Sequence, residues 1–265
     1  MYVSGYALFM IDSHCHLADK QFQKDLNEVI ERAKESGVDR CIAIADSLPE
    51  GIRCLEIAEK YEGVYCTIGV HPHISAHWKS GNRQQLRTMI QSSEKVVAVG
   101  EIGLDYHYNN SPQDVQREVF EIQLQLAKEL NIPAVLHCRE AIEDLKSIIT
   151  KVDPASFVLH CCTEKWEDVS SLVENRFFLS FTGIATYPKS EDIREVIKQC
   201  PLEQMMIETD SPYLAPEPYR GKRNEPAYVV EVAKLIAELK GKSFEEIDSI
   251  TTANTVEFFG LPVGS

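Results

Sequence analysis

Val96-Val97-Ala98-Val99-Gly100-Glu101 runs five small or β-branched residues into a carboxylate. An apolar run without alternation reads as a strand buried on both faces, as in a parallel sheet. A carboxylate at its end is too deep for a solvated surface charge and is costly unless paired or metal-bound. The same punctuation recurs along the chain. Ile11 leads into Asp12-Ser13-His14-Cys15-His16, Ala134-Val135-Leu136 into His137, and Phe157-Val158-Leu159 into His160. Met205-Met206-Ile207 leads into Glu208-Thr209-Asp210. Four histidines and two carboxylates therefore fall at or just past strand ends, which in barrel enzymes hold the chemistry. Together they describe a pocket for divalent metal.

Outward from these strand ends the chain keeps one rhythm. Strands are predicted at 7–12, 38–45, 64–70, 96–101, 133–137, 157–160, 177–181 and 205–208. Amphipathic helices are predicted at 22–36, 49–61, 82–92, 112–130, 141–151, 165–174, 191–199 and 226–239, with one or two extra helices at 244–259. Eight alternations without a low-complexity break predict α/β architecture, a (β/α)8 TIM barrel with extra C-terminal helix, spanning 1–265 as one domain. A doubly wound sheet binding a nucleotide would need a Gly-rich phosphate turn after an early strand, and none is present.

The 265 residues, 44% hydrophobic, suffice for one such core. No stretch reaches the roughly 20 apolar residues that span a bilayer. Met1-Tyr2-Val3-Ser4-Gly5-Tyr6 lacks a basic segment followed by a long apolar one, so a cytoplasmic protein with reduced thiols is expected. A net charge of −14 argues against coating nucleic acid electrostatically. It leaves room for an enzyme that meets phosphate esters through bound cations.

His14 and His16 alternate onto one face of an extended segment, as two ligands to one metal require; the bland alternative is a pair of satisfied core histidines. The same alternation turns Cys15, Cys138 and Cys161 away, so they read as packing residues. Glu101 is either a bridge between two cations or one side of a salt bridge to Arg139. His137 and His160 end consecutive strands and are neighbours on the rim. Arg139 suits a phosphate through its donor fork, or orients a metal-binding acid. Asp210 can ligate a metal and accept a proton from water, with Glu208 in support. His71 contacts substrate or caps its loop.

At these residues the chain resembles the TatD-type metal-dependent deoxyribonucleases. The resemblance rests on Asp12-Ser13-His14-Cys15-His16-Leu17, Gly69-Val70-His71-Pro72-His73, Gly100-Glu101-Ile102-Gly103-Leu104-Asp105-Tyr106 and His137-Cys138-Arg139. It extends over Leu159-His160-Cys161, the segment from Glu208 to Pro216, and Arg220-Gly221-Lys222-Arg223-Asn224-Glu225-Pro226. It implies an amidohydrolase-like barrel with two divalent ions (Mg2+, Mn2+ or Zn2+). His14, His16, Glu101 and Asp210 would hold one ion, and Glu101, His137 and His160 the other. It also implies hydrolysis of DNA, often from single-stranded 3′ ends, with Asp210 and Glu101 catalytic and His71, Arg139 and Arg223 on the substrate. No membrane and no obligate protein partner is expected. The run Cys161-Cys162-Thr163-Glu164 departs from the family's usual aromatic after the sixth-strand histidine. The alternative substrate is a non-nucleic-acid ester or amide; no lysine ends a central strand to make the carbamylated bridge of amide-cleaving relatives. For single strands, Tyr106, Tyr108, Tyr187 and Tyr213 are rim-loop candidates for stacking.

Overall fold

Strands whose apolar residues fall on both faces cannot face water on either side, so helices must cover them. The computed structural model, which describes residues 10–175 and 177–263, satisfies this demand with a ring of strands inside a ring of helices. The strands are β1 (Met10–Cys15), β2 (Val38–Ala43), β3 (Val64–Ile68), β4 (Val96–Asp105), β5 (Ala134–Arg139), β6 (Phe157–Leu159), β7 (Phe178–Phe181) and β8 (Met205–Ile207). All pair in parallel and in sequence order. β8 returns to β1 through a parallel bridge between Cys15 and Ser211, with Asp210 N donating to His14 O at 2.9 Å and His16 N to Ser211 O at 2.7 Å. The expected (β/α)8 barrel is the fold.

The helices are α1 (Leu26–Glu35), α2 (Leu48–Lys60), α3 (Asn82–Ile90), α4 (Gln113–Leu130), α5 (Ile142–Val152), α6 (Trp166–Glu174), α7 (Glu191–Gln199), α8 (Val229–Lys240) and α9 (Phe244–Phe259). α9 is one helix, opened by a Ser243/Glu246 capping box and closed by Gly260 in the left-handed conformation. Asn254 on α9 donates to the carbonyls of Leu202 and Met205, both at 2.7 Å, which ties the helix to the start of β8. Phe258 and Phe259 pack in one apolar cluster with Ile11, Val97, Val135 and Met206 of the strands. Among the described residues no helix is long and apolar enough to cross a membrane.

Two strands differ usefully from the expected bounds. The first was expected at 7–12; Ala7 to Phe9 lie outside the described residues, as do Met1 to Tyr6. The strand continues to Cys15, past its apolar run, because Ser13 Oγ donates to Ile207 O (3.0 Å) and β8 takes the backbone of His14. β4 likewise runs four residues beyond Glu101, to Asp105. Gly103 permits this: its φ is +140°, and a β-carbon there would stand 2.0 Å from His137 O. β4 and β5 therefore approach closely where the site residues sit. The predicted first helix begins four residues late, at Leu26, because turns hydrogen-bonded through Asp19 and Phe22 occupy its start.

Candidate metal centre

Parallel strands all present their C-terminal ends to one rim, so residues ending different strands converge there. β1 delivers His14 and, just past its end, His16; β4 delivers Glu101 and β5 His137; His160 directly follows β6, and Asp210 lies three residues past β8. Glu101 is 2% exposed and sits at their centre. Its Oε1 lies 2.8 Å from His137 Nδ1 and 2.8 Å from His160 Nε2. Its Oε2 lies 3.4 Å from His14 Nε2 and 4.0 Å from His16 Nε2. Asp210 Oδ1 meets the latter two imidazoles, 3.5 Å from His14 Nε2 and 3.2 Å from His16 Nε2. All six expected ligands are thus brought together, and the two oxygens of Glu101 divide them into two sets.

Three of the imidazoles are backed by a carboxylate. Asp105 Oδ2 is 3.2 Å from His137 Nε2, Glu208 Oε1 is 3.4 Å from His160 Nδ1, and Asp46 Oδ1 is 3.8 Å from His16 Nδ1. A carboxylate can only accept, so the Asp105 hydrogen bond places the His137 proton on Nε2 and turns the Nδ1 lone pair inward. Glu208 is in turn held by Ser180 Oγ (2.5 Å) and the Cys161 amide (2.7 Å). Asp12 receives the Thr209 amide (2.9 Å) and hydroxyl (2.6 Å), clamping the end of β1 to the chain after β8. Burial raises Asp12 to about 8 despite these bonds.

The electrostatics call for positive charge. A lone pair and a carboxylate oxygen 2.8 Å apart repel unless a proton or a metal cation lies between them. Burial pushes Glu101 up, yet the surrounding imidazoles of His160, His71, His137 and His14 prevail and hold it well below the carboxylate range. Burial pushes His160 down, and the Glu101 charge overrides it, raising His160 well above the usual imidazole value. His16 is raised to about 10, Asp46 and Asp210 outweighing burial. Asp210 stays below its ordinary value, because His16 and His14 offset its burial. His14 is fully buried and neither ring nitrogen has a hydrogen-bond partner. Buried orphan nitrogens facing two carboxylates fit a divalent cation. His14, His16 and Glu101 form one ligand group within reach of a single ion, His14, His160 and Asp210 another, and His71, Glu101 and His137 a third.

His71 lands between the two roles expected of it. Its Nδ1 accepts the His73 amide at 3.1 Å, capping the turn Pro72–His77. The proton therefore resides on Nε2, which faces Glu101 Oε1 at 3.4 Å. Burial lowers its pKa and keeps the ring neutral, so His71 points a donor, not a lone pair, into the site. Arg139 makes no salt bridge to Glu101; its guanidinium lies 4.7 Å over the Tyr108 ring. The expectation that Arg223 holds a substrate phosphate meets a competing arrangement. Its fork donates to Asp25 (2.8 and 2.6 Å) and Glu225 (2.8 Å), so a phosphate would have to displace carboxylates.

Cys15 and Cys138 are buried and Cys161 is half-buried, and none belongs to a ligand group. Burial holds all three thiols above their usual value. Tyr106 is half-buried, its hydroxyl donating to Asp144 at 2.6 Å, and Tyr187 donates to Ala215 O at 3.0 Å. Asp46, His73 and Asp105 were not singled out as site residues from the sequence. Asp105 shares the parity of Glu101 along an extended strand, and Asp46 directly follows the apolar run from Cys41 to Ala45; both signals were legible.

Comparison with known proteins gives four concordant findings. The family model described as TatD related DNase matches residues 11–260. The metal-dependent hydrolase YabD of Bacillus subtilis (strain 168), itself uncharacterized, is 42% identical over 95% of this chain and 99% of its own. The 3′-5′ ssDNA/RNA exonuclease TatD of Klebsiella pneumoniae (strain 342) is 34% identical over 96% and 99% of the two chains. Among solved structures, the TatD homolog YJJV from Escherichia coli K12 superposes with a TM-score of 0.92 at 29% identity, covering 97% of this chain and all of that one.

Proposed function

This chain belongs to the TatD-related DNase family and is a metal-dependent hydrolase; we propose that it cleaves phosphodiester bonds of DNA, as a 3′–5′ exodeoxyribonuclease acting on single-stranded ends. The observation that carries this reading is the division of ligands between the two oxygens of Glu101. A carboxylate placed between two sets of inward lone pairs suits a pair of cations, as in phosphodiester-cleaving centres. The names of the exonuclease relatives support the substrate class.

His14, His16, Glu101 and Asp210 would hold one divalent ion, and Glu101, His137 and His160 the second. Bound Mg2+, Mn2+ or Zn2+ supplies Lewis-acid stabilisation of charge on the phosphoryl oxygens and makes a water ionise near neutral pH. Asp210 would orient the attacking water and take its proton; its Oδ1 stands 3.5 Å from His14 Nε2 and 3.2 Å from His16 Nε2. A left-handed backbone, φ +56°, aims this carboxylate, a conformation that aspartate tolerates better than most residues. His71 offers its Nε2 proton to a phosphoryl oxygen. Arg139 meets a flanking phosphate. Asp105 would keep His137 in one tautomer, and Glu208 and Asp46 would lend negative charge beside His160 and His16.

The test is hydrolysis of 3′-end-labelled single-stranded DNA by metal-stripped protein, with Mg2+, Mn2+ or Zn2+ restored singly, beside Asp210→Asn. Metal-dependent release of mononucleotides, lost in the variant, supports the reading and names the working ion. Stoichiometric metal binding without cleavage by any ion overturns the nuclease assignment and transfers it to another ester or to an amide.

A further inference from the structure

We infer that Tyr108 and Tyr213 are the two base-stacking platforms of this site, one on each side of the scissile phosphodiester, and that they select unpaired strands. The inference rests on the phosphodiesterase reading above and assigns the part of the substrate that the metal ligands do not touch.

Among the described residues, these two are the only exposed phenylalanine, tyrosine or tryptophan rings, 56% and 47% accessible. A phenol ring held in water is not there for the core, and apolar area left exposed marks a contact surface when it adjoins a site. Both rings stand against the metal cluster, at opposite ends of it. Tyr213 meets His16 edge-on, ring centres 5.8 Å apart. His16 belongs to the Oε2 side of Glu101. Tyr108 meets His73 edge-on at 5.4 Å, and His73 lies 6.2 Å from His137, which belongs to the Oε1 side. The order Tyr213, His16, Glu101, His137, His73, Tyr108 places the reacting phosphate in the middle and an aromatic face beyond each end.

Both rings are also held in place. Tyr213 donates its hydroxyl to Asp19 at 2.9 Å, which fixes the ring without covering it. Asp105 Oδ1 accepts the Tyr108 amide at 2.8 Å, so the carboxylate that steadies His137 also steadies this loop. The Arg139 guanidinium lies 4.7 Å over one face of the Tyr108 ring, so a base would stack on the opposite face. A nucleobase stacks on such a face whatever its identity, because every base has a π-face. In a duplex that face is already taken by the neighbouring base pair. Two platforms around one phosphate therefore favour a strand with both flanking bases unpaired, and read no sequence.

The experiment is a double-mutant cycle between protein and substrate. Steady-state hydrolysis of a single-stranded DNA oligonucleotide, intact or abasic at its terminal or penultimate 3′ position, is measured for wild type, Tyr108→Ala, Tyr108→Phe, Tyr213→Ala and Tyr213→Phe. Binding of a fluorescein-labelled oligonucleotide is followed by anisotropy in parallel. Each alanine variant is expected to raise KM and Kd roughly 5- to 150-fold, the equivalent of about 1–3 kcal/mol per stacked base. Phenylalanine should retain affinity. An abasic residue opposite a given tyrosine should weaken wild type by the same factor and leave the matching alanine variant no weaker. Unchanged KM in the alanine variants, or losses that simply multiply at both positions, overturns the inference. If wild type cleaves no oligonucleotide, the phosphodiesterase reading fails and the platforms fall with it. If wild type cleaves and the cycles show no coupling, only the platforms fall.

Discussion

Glu101 and Asp105, four residues apart on β4, grip His137 from its two ring nitrogens, at 2.8 Å from Nδ1 and 3.2 Å from Nε2. Even spacing along an extended strand sends both carboxylates to one side. The inner one faces the shared centre of the ligand cluster; the outer one accepts the Nε2 proton and so turns the Nδ1 lone pair inward. Asp105 also takes His73 Nε2 at 2.8 Å, and bonds from both rings hold it below its ordinary pKa against partial burial. It stays an acceptor throughout the neutral range.

Replacing Asp105 by Asn leaves the shape and removes the charge that fixes this tautomer. Loss of such a supporting carboxylate typically costs 10–100-fold in metal affinity or activity. Titration of metal-stripped Asp105→Asn with Mn2+ or Zn2+ should show a loss of about that size, concentrated in the weaker of two binding events. Equal affinities for wild type and variant would remove Asp105 from the site.

Glu101→Gln should be more severe, because one side chain faces both ligand sets. Several kcal/mol of transition-state stabilisation are at stake, about a 10³-fold or greater fall in kcat. Metal stoichiometry measured by atomic emission should fall as well, with the circular dichroism spectrum unchanged. Retention of two tightly held ions with full turnover would end its assignment as the bridge.

Gly103→Ala tests the close approach of β4 to β5. A β-carbon would collide with His137 O, at 2.0 Å, in a backbone conformation of φ +140° that side chains disfavour. The expected cost is at least about 2 kcal/mol of stability, with displacement of His137 and weaker metal binding alongside. A melting temperature within error of wild type would show that the two strands can separate freely.

Arg223→Ala separates a structural role from a substrate role. Hydrogen bonds from Arg223, against slight desolvation, hold Asp25 below its ordinary value of 3.8. A carboxylate lowered in the folded state adds stability that is fully present above its unfolded pKa and is lost as pH falls through the folded value. The stability gap between wild type and variant should therefore be level from neutral pH to about pH 5 and shrink below pH 4. At neutral pH it should be roughly 1 kcal/mol, given the partial exposure of both groups. Denaturant melts across pH read this directly. A variant as stable as wild type but with a raised KM would instead place Arg223 on the substrate.

Strand ends, ligand types and the alternation of eight strands with helices were legible in the chain itself. The strands that carry the site run apolar residues into the first residue that cannot be buried unpaired. That is why His14, His16, Glu101, His137, His160 and Asp210 could be named from position alone. Tertiary structure decided what lies opposite each of them. Whether His71 presents a donor or a lone pair depends on the His73 amide, and whether Arg139 is free depends on a tyrosine ring in another loop. The carboxylates backing the imidazoles arrive from other strands and loops, at sequence distances of 30 to 48 residues. Local periodicity reports which face a residue takes, over the few residues that share a strand. It carries nothing about the partner that barrel closure brings to that face.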